Sequence, residues 1–306
     1  MPSTGATGNK NIVASLDNEI DAFFGLDRLG LSHQKKTACV LLCKEPSRRD
    51  GAELVRRLLD RIVENRSALT EAGLAARGNE LWRWKKNTSL SLANTSLEVR
   101  IEKAIVRLLG DTWTNQVPAA SGLSEDAEQR RSVDIVHRHD PKEFAFIELK
   151  ALRPGETSRG DQTPLFAAME VLKYGLLFLY CKKHRDLLFP GCIEHRPILK
   201  ANRVNLEVLM TANCYLHSEK RGPFRIGWLS CLIADGLHEL NEYQMLMNCE
   251  SRVHFDFSFR QFPGSFVWSD EDHEALLTST EGSLCWNMLR DRIVAAVEER
   301  ELALLL

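Results

Sequence analysis

Residues 131 to 152 read RSVDIVHRHDPKEFAFIELKAL, two apolar runs of strand character that enclose Asp134, Glu148 and Lys150. A charge taken out of water without a partner costs on the order of several kcal/mol. A hairpin that carries three of them is therefore constrained to bring them together. Side chains alternate along a strand, so Phe144, Phe146, Glu148 and Lys150 share one face, and Ala145, Ile147 and Leu149 share the other. Asp134 lies with Val136, opposite Ile135 and His137. Both faces are largely apolar, which calls for helices on both sides of the sheet. The strands are expected at 132–138 and 144–151, with a turn around Asp140-Pro141-Lys142. Asp134 faces the same way as Glu148 only if an odd number of residues connects the strands, since one step of register turns every side chain over.

In that register two carboxylates and an ammonium converge. Paired carboxylates repel until one takes up a proton. A divalent cation removes the conflict: Mg²⁺ accepts one or two carboxylates, keeps waters and leaves positions for phosphate oxygens. It also lowers the pKa of a bound water, and Lys150 beside it can stabilise charge developing on a phosphate. The set points to hydrolysis of a phosphodiester.

The hairpin follows a helix expected from the stretch NTSLEVRIEKAIVRLLG, where Thr95 and Glu98 have capping-box spacing and Gly110 fits the stop. Its buried stripe is Leu97, Ile101, Ala104, Ile105 and Leu108; Glu98 and Glu102 flank it one turn apart, and either could face the site. TWTNQVPAA reads as a strand before the hairpin, and TPLFAAMEVLKYGLLFLYCKKH as a long helix after it. VNLEVLMTANCYL and RVHFDFSFRQF read as strands on either side of the helix IGWLSCLIADGLHELNEY, and a last helix is expected from about Ser283 to Leu302. The order from residue 95 is α-β-β-β-α-β-α-β.

These residues resemble the PD-(D/E)xK nuclease superfamily, which includes type II restriction enzymes and Holliday-junction resolvases: Asp134, then Glu148-Leu149-Lys150, after a helix bearing Glu98. The resemblance spans roughly residues 95 to 215. It implies an α/β fold with a restriction-endonuclease-like αβββαβ core, a mixed central sheet flanked by helices. It further implies Asp134 and Glu148 as ligands of Mg²⁺ (with Mn²⁺ able to substitute), the Leu149 carbonyl as a third ligand, Lys150 as the catalytic lysine and Glu98 as an accessory acid. Val133 stands where the family name has proline. One branch of the superfamily carries Q-x-x-x-Y in the following helix, where this chain has Glu170 and Tyr174; Gln162 is an alternative source of the amide. The function implied is a metal-dependent nuclease acting on DNA; the alternatives are a non-catalytic nucleic-acid or partner-binding module of a defence or repair assembly, and an RNase on the same scaffold.

Residues 1–90 read as a helical N-terminal region, 91–265 as the core with extensions and 266–306 as a C-terminal helix. Net charge is only −2, but segment 44–86 carries 4 more basic than acidic residues and segment 182–225 carries 5 more, while 270–301 has an acidic excess of 6. A cleft lined by the basic segments would attract a polyanion. Arg130, Arg131, Arg153 and Arg159 bracket the hairpin where phosphates would pass. Trp82 and Trp84 alternate with Arg83, Lys85 and Lys86, a pattern of either core tryptophans or base-stacking platforms. His137 and His139 are expected to point away from Asp134. The spacing Cys181-x-x-His184 and Cys192-x-x-His195 could hold zinc, although Cys181 ends an apolar helix, where a thiol packs as a small hydrophobe. Neither a signal peptide nor a run of 18 apolar residues is evident, so a cytoplasmic protein without a membrane partner is expected, as a homodimer or within a larger complex.

Overall fold

The long segment 164–183 is apolar on every side, and a helix of that kind is stable only when covered all round. A computed structural model of the chain describes residues 15–44, 49–65, 81–120, 131–190, 193–218, 222–247, 251–299 and 301–302. Its helices are α1 (Leu16–Phe24), α2 (Lys36–Lys44), α3 (Gly51–Glu64), α4 (Leu97–Leu109), α5 (Pro164–Lys183), α6 (Arg185–Leu188), α7 (Gly227–Leu246), α8 (Asp270–Thr278) and α9 (Leu284–Glu298). Its strands are β1 (Trp113–Ala120), β2 (Arg131–Asp140), β3 (Glu143–Lys150), β4 (Arg203–Met210), β5 (Leu216–Ser218), β6 (Gly222–Pro223), β7 (His254–Gln261) and β8 (Glu301–Leu302).

The main sheet is mixed, in the order β1-β2-β3-β4-β7-β8. β1, β2 and β3 run antiparallel to their neighbours, β3, β4 and β7 run parallel, and β8 adds two antiparallel residues at the edge. Helices cover both faces. On one, Phe144, Phe146, Val204 and Leu206 join a core with α5, α7 and the N-terminal helices α1 to α3. On the other, Ala145, Ile147 and Leu149 pack with α4, α8 and α9. The alternation of apolar residues on both faces of β3 thus has its physical counterpart: two separate cores, one on each side.

α5 begins at a Thr163 cap, whose hydroxyl accepts from Phe166 N at 3.2 Å, followed by Pro164 in the first turn. It is long and apolar enough to cross a membrane, and every residue of its most apolar window is buried against the rest of the chain. α3 meets α7 where Gly51 lies on Gly236: a Cβ at Gly51 would stand 1.9 Å from the Leu232 carbonyl oxygen, so only hydrogen fits between the backbones.

Several local expectations need correction. The cap of α4 is Ser96, not Thr95, and Glu98 makes no capping box; its carboxylate reaches the hairpin instead. The N-terminal region is helical only in part, because residues 81–89 are a turn and irregular chain beside β1. The run from Val204 stops as a strand at Met210 and turns through a short helix at 212–215. The C-terminal part holds two helices, α8 and α9, broken at the Gly282 turn.

Candidate metal centre

The hairpin reaches the required register by an unexpected route. Its tip is the two-residue turn Pro141-Lys142, an even connection that would put Asp134 and Glu148 on opposite faces. Between the pairs Arg138–Phe144 and Asp140–Glu143, however, the register shifts by one, leaving His139 as an extra residue on β2. Asp140 Oδ1 holds the tip by accepting from Lys142 N at 2.6 Å and Glu143 N at 2.9 Å. From there the ladder runs regularly to Ile135–Ile147. One step further, Asp134 and Glu148 come opposite each other on the α5 side.

Regular pairing of β2 with β3 ends at that point. Asp134 Oδ2 takes over as acceptor for Leu149 N at 3.0 Å. The Lys150 carbonyl accepts from Thr211 N on the β4 side at 3.1 Å. Successive backbone groups of a strand face opposite edges, so the Leu149 carbonyl lies on the β2 edge, beside Asp134. Lys150 Nζ is 2.9 Å from Glu148 Oε1 and 5.5 Å from the centroid of the Phe166 ring. Glu148 is 4% and Lys150 8% exposed. Glu148 Oε2 is buried and has no hydrogen-bond partner among the described residues.

Two further acids come from α4, so the choice between Glu98 and Glu102 does not arise. Glu98 Oε1 accepts from Ala151 N at 3.3 Å, just past β3. Glu102, fully inside, accepts from Asn115 Nδ2 at 2.6 Å and from Gln116 Nε2 at 2.8 Å. Gln116 Nε2 is also 3.5 Å from Asp134 Oδ1, which ties Glu102 to the hairpin. To do so Gln116 adopts φ 49°, a left-handed conformation in the middle of β1 that costs a non-glycine residue about 1 kcal/mol or more.

The electrostatics of this group are unbalanced. Burial, then the neighbouring Asp134 charge, pushes Glu148 well above the usual carboxylate range. Burial also raises Asp134 and Glu98, and together with Asp134 it pushes Glu102 up to about 8. Burial pulls Lys150 down, but Glu148, Asp134 and Glu98 outweigh it and hold the ammonium above the ordinary lysine range. Glu148, Asp134 and Glu98 thus compete for one lysine.

A neighbouring acidic group is already compensated. Asp17 Oδ1, His33 and Glu170 present ligand atoms within 4.8 Å of one another. The Lys173 ammonium sits between them, 2.5 Å from both Asp17 Oδ1 and Glu170 Oε1. Tyr174 OH donates to Glu170 Oε2 at 3.0 Å, and Arg131 approaches it at 3.6 Å. Against the pull of burial, Lys173 and Arg131 hold Glu170 below its ordinary range, and Lys173 does the same for Asp17. The two clusters have opposite signs of shift. A divalent cation would meet Glu148 Oε2 without a partner among the described residues; at Asp17 and Glu170 it would have to displace a lysine.

Of the other sequence candidates, Glu170 and Tyr174 stand one turn apart and bond to each other, with Lys173 as the acid's cation. Gln162 enters through its backbone, whose carbonyl accepts from Ser158 Oγ at 2.8 Å. Arg131 stands 3.8 Å from Asp17 and 3.6 Å from Glu170, with part of its side chain exposed. Arg153 is engaged by Asp270 at 3.1 Å, Arg159 is exposed, and Arg130 lies outside the described residues. Trp82 is a core residue stacked 5.7 Å from Phe146, not an exposed platform. His137 stacks on Trp113 at 3.8 Å on the α4 face, away from Asp134. The Cys181 thiol is buried in the α5 core and pushed up to about 12 by that burial, unlike a zinc thiolate; Cys192 lies outside the described residues. Gln116, Lys173 and Asp17 were not singled out from sequence; only the three-residue spacing of Glu170 and Lys173 signalled a pair.

No family model matches the chain, and no curated protein or solved structure matches it either.

Proposed function

We propose that the chain is a divalent-metal-dependent nuclease with a restriction-endonuclease-like core, hydrolysing phosphodiester bonds of DNA. One observation carries this reading: the half-buried Asp134 and the buried Glu148 stand opposite each other beside a buried lysine, and one Glu148 oxygen has no partner among the described residues. Asp134, Glu148 and the Leu149 carbonyl would hold Mg²⁺, or Mn²⁺ in its place. When bound, the ion supplies a water of lowered pKa and screens the phosphate charge.

The chain's own groups account for the rest. Hydrolysis forms a bond from water oxygen to phosphorus and breaks the bond to one ester oxygen; the water gives up a proton and the departing oxygen gains one. Lys150 is too basic to accept that proton near neutrality, so it acts as a fixed positive charge and donor toward the phosphate oxygens. Glu148 orients it, and the Phe166 ring beneath keeps its ammonium within the site. Glu98 adds negative charge behind the ligands and favours cation binding, and Glu102 holds the Gln116 amide against Asp134.

The test is cleavage of supercoiled, linear, single-stranded and branched DNA with Mg²⁺ or Mn²⁺, with RNA of the same sequence as the comparison for the sugar. Cleavage is expected with the metal and not with EDTA. Asp134→Asn, which keeps an oxygen for Leu149 N, and Lys150→Met should both lose it. Wild-type protein that leaves every substrate whole contradicts the proposal; metal-independent binding without turnover would instead favour a non-catalytic binding module.

A further inference from the structure

Residues 81–89 form a strap along the outer edge of β1. Trp82 N donates to the Pro118 carbonyl at 2.9 Å, Thr114 Oγ1 donates to the Lys85 carbonyl at 2.7 Å, and Asn115 pairs with both backbone groups of Asn87 at 2.7 and 3.0 Å. Trp82 and Trp84 anchor it by packing on Phe146 and Phe144. A strap on an edge strand protects the edge from pairing with another chain. This one does something more. With the tryptophans facing the core, Arg83, Lys85 and Lys86 line a cavity of about 540 Å³ between strap and strand, and Asn115 and Gln116 belong to the same lining.

Gln116 connects the cavity to the metal centre, since its amide bonds Glu102 and reaches Asp134. The cavity therefore has cations along the strap, and Gln116 in its wall separates it from the acids Glu102 and Asp134. An acidic partner with scattered charge would meet repulsion there. A polyanion with a regular backbone would not, because one phosphate can reach the cation held by the acids while its neighbours lie along the lysines. The volume suits a short stretch of one chain, being within the roughly 300–1,000 Å³ of ligand-sized pockets.

We infer that the groove between the 83–89 strap and β1 binds the sugar-phosphate backbone of one nucleic-acid strand next to the scissile phosphate. The inference rests on the nuclease reading of the Asp134–Glu148 centre, and it assigns the side from which substrate enters. Lys85 contacts phosphates, Lys86 does so in exchange for its surface ion pair with Asp111, and the strained Gln116 marks the junction between binding groove and acids.

The experiment measures anisotropy of labelled single-stranded and duplex oligonucleotides with full-length protein in EDTA, over a range of salt concentrations. The variants are Lys85→Gln/Lys86→Gln, Arg83→Gln alone, and Arg56→Gln on the exposed side of α3 as control. Each lost phosphate contact lowers the salt slope by about 0.7 for a single strand. The double variant should therefore show a slope about 1.4 smaller and roughly 25-fold weaker binding at 0.1 M salt. Arg83→Gln should shift the same way by about half, and the control should match wild type. Weakening of the single-stranded or the duplex ligand supports the groove and tells which form supplies the strand. Unchanged affinity and slope for both overturns the inference, as does equal binding of poly-glutamate. If the lysine variants bind normally while Asp134→Asn loses cleavage, the groove fails and the nuclease reading stands. If wild type neither binds nor cuts, both fail.

Discussion

The Lys150 ammonium lies 2.9 Å from one oxygen of Glu148, and the other oxygen of that carboxylate is buried with no partner among the described residues. A lysine that only neutralised a buried acid would leave a satisfied pair. Here Asp134 and Glu98 add to the demand for positive charge, and one ammonium does not meet it.

Replacing Lys150 by methionine keeps an unbranched chain over Phe166 and removes the charge. Breaking a buried pair costs about 3–5 kcal/mol when the surviving charge stays ionised. Glu148, already above the usual range, can take up a proton instead. Its folded pKa then lies still further above the unfolded one, so the folded state is favoured at low pH and loses stability as pH rises. Urea unfolding should show a small loss relative to wild type near pH 5 and a larger one near pH 8. A loss independent of pH would contradict this account.

Glu102 gives a second pH effect. Its folded pKa of about 8 lies above the unfolded carboxyl value of about 4.3, so its protonated form is the one the fold prefers. Stability from this group is complete below about pH 4.3 and is lost as pH climbs through 8. In EDTA, Glu102→Gln should flatten the stability profile between pH 5 and 8 by about 3 kcal/mol. Superimposable profiles for the two proteins would show that Glu102 is ionised throughout.

Lys173 is the cation of the second acidic group, held 2.5 Å from both Asp17 and Glu170. Lys173→Met should destabilise the chain by about 3–5 kcal/mol at pH 7. Asp17→Asn should cost less, because Glu170 keeps Lys173, Arg131 and Tyr174. Chemical denaturation of the two variants compares them, and equal losses would mean that Asp17 matters as much as the lysine.

At the α3–α7 crossing, Gly51→Ala places a methyl 1.9 Å from the Leu232 carbonyl oxygen. The helices must separate, at a cost of about 3 kcal/mol. A thermal melt of this variant close to that of wild type would show that the contact is looser than described.

Much of the fold and of the acid pair was legible in sequence because period and parity are local properties. Alternation in Phe144 to Lys150 fixed which residues share a face, and the apolar run at 164–183 announced a covered helix. What sequence did not show depends on tertiary context. The parity argument asked for an odd connection, and nothing in RHDPKE distinguishes a three-residue loop from a two-residue turn with a bulge at His139. Gln116 could not be foreseen because its left-handed backbone follows from reaching both Glu102 and Asp134. The approach of Arg131 to Asp17, more than a hundred residues away, is likewise a tertiary relation that no local pattern carries. Ser96 and Thr95 both offer a capping hydroxyl, and the structure uses the former.

The most direct test is anomalous diffraction from crystals of the protein soaked in Mn²⁺. The account predicts a peak bridging the Asp134 and Glu148 carboxylates, about 2.0–2.3 Å from an oxygen of each, with the Leu149 carbonyl alongside. Lys173 should stay in place between Asp17 and Glu170. A peak at Asp17, His33 and Glu170 instead, or none between Asp134 and Glu148 at saturating Mn²⁺, would contradict it.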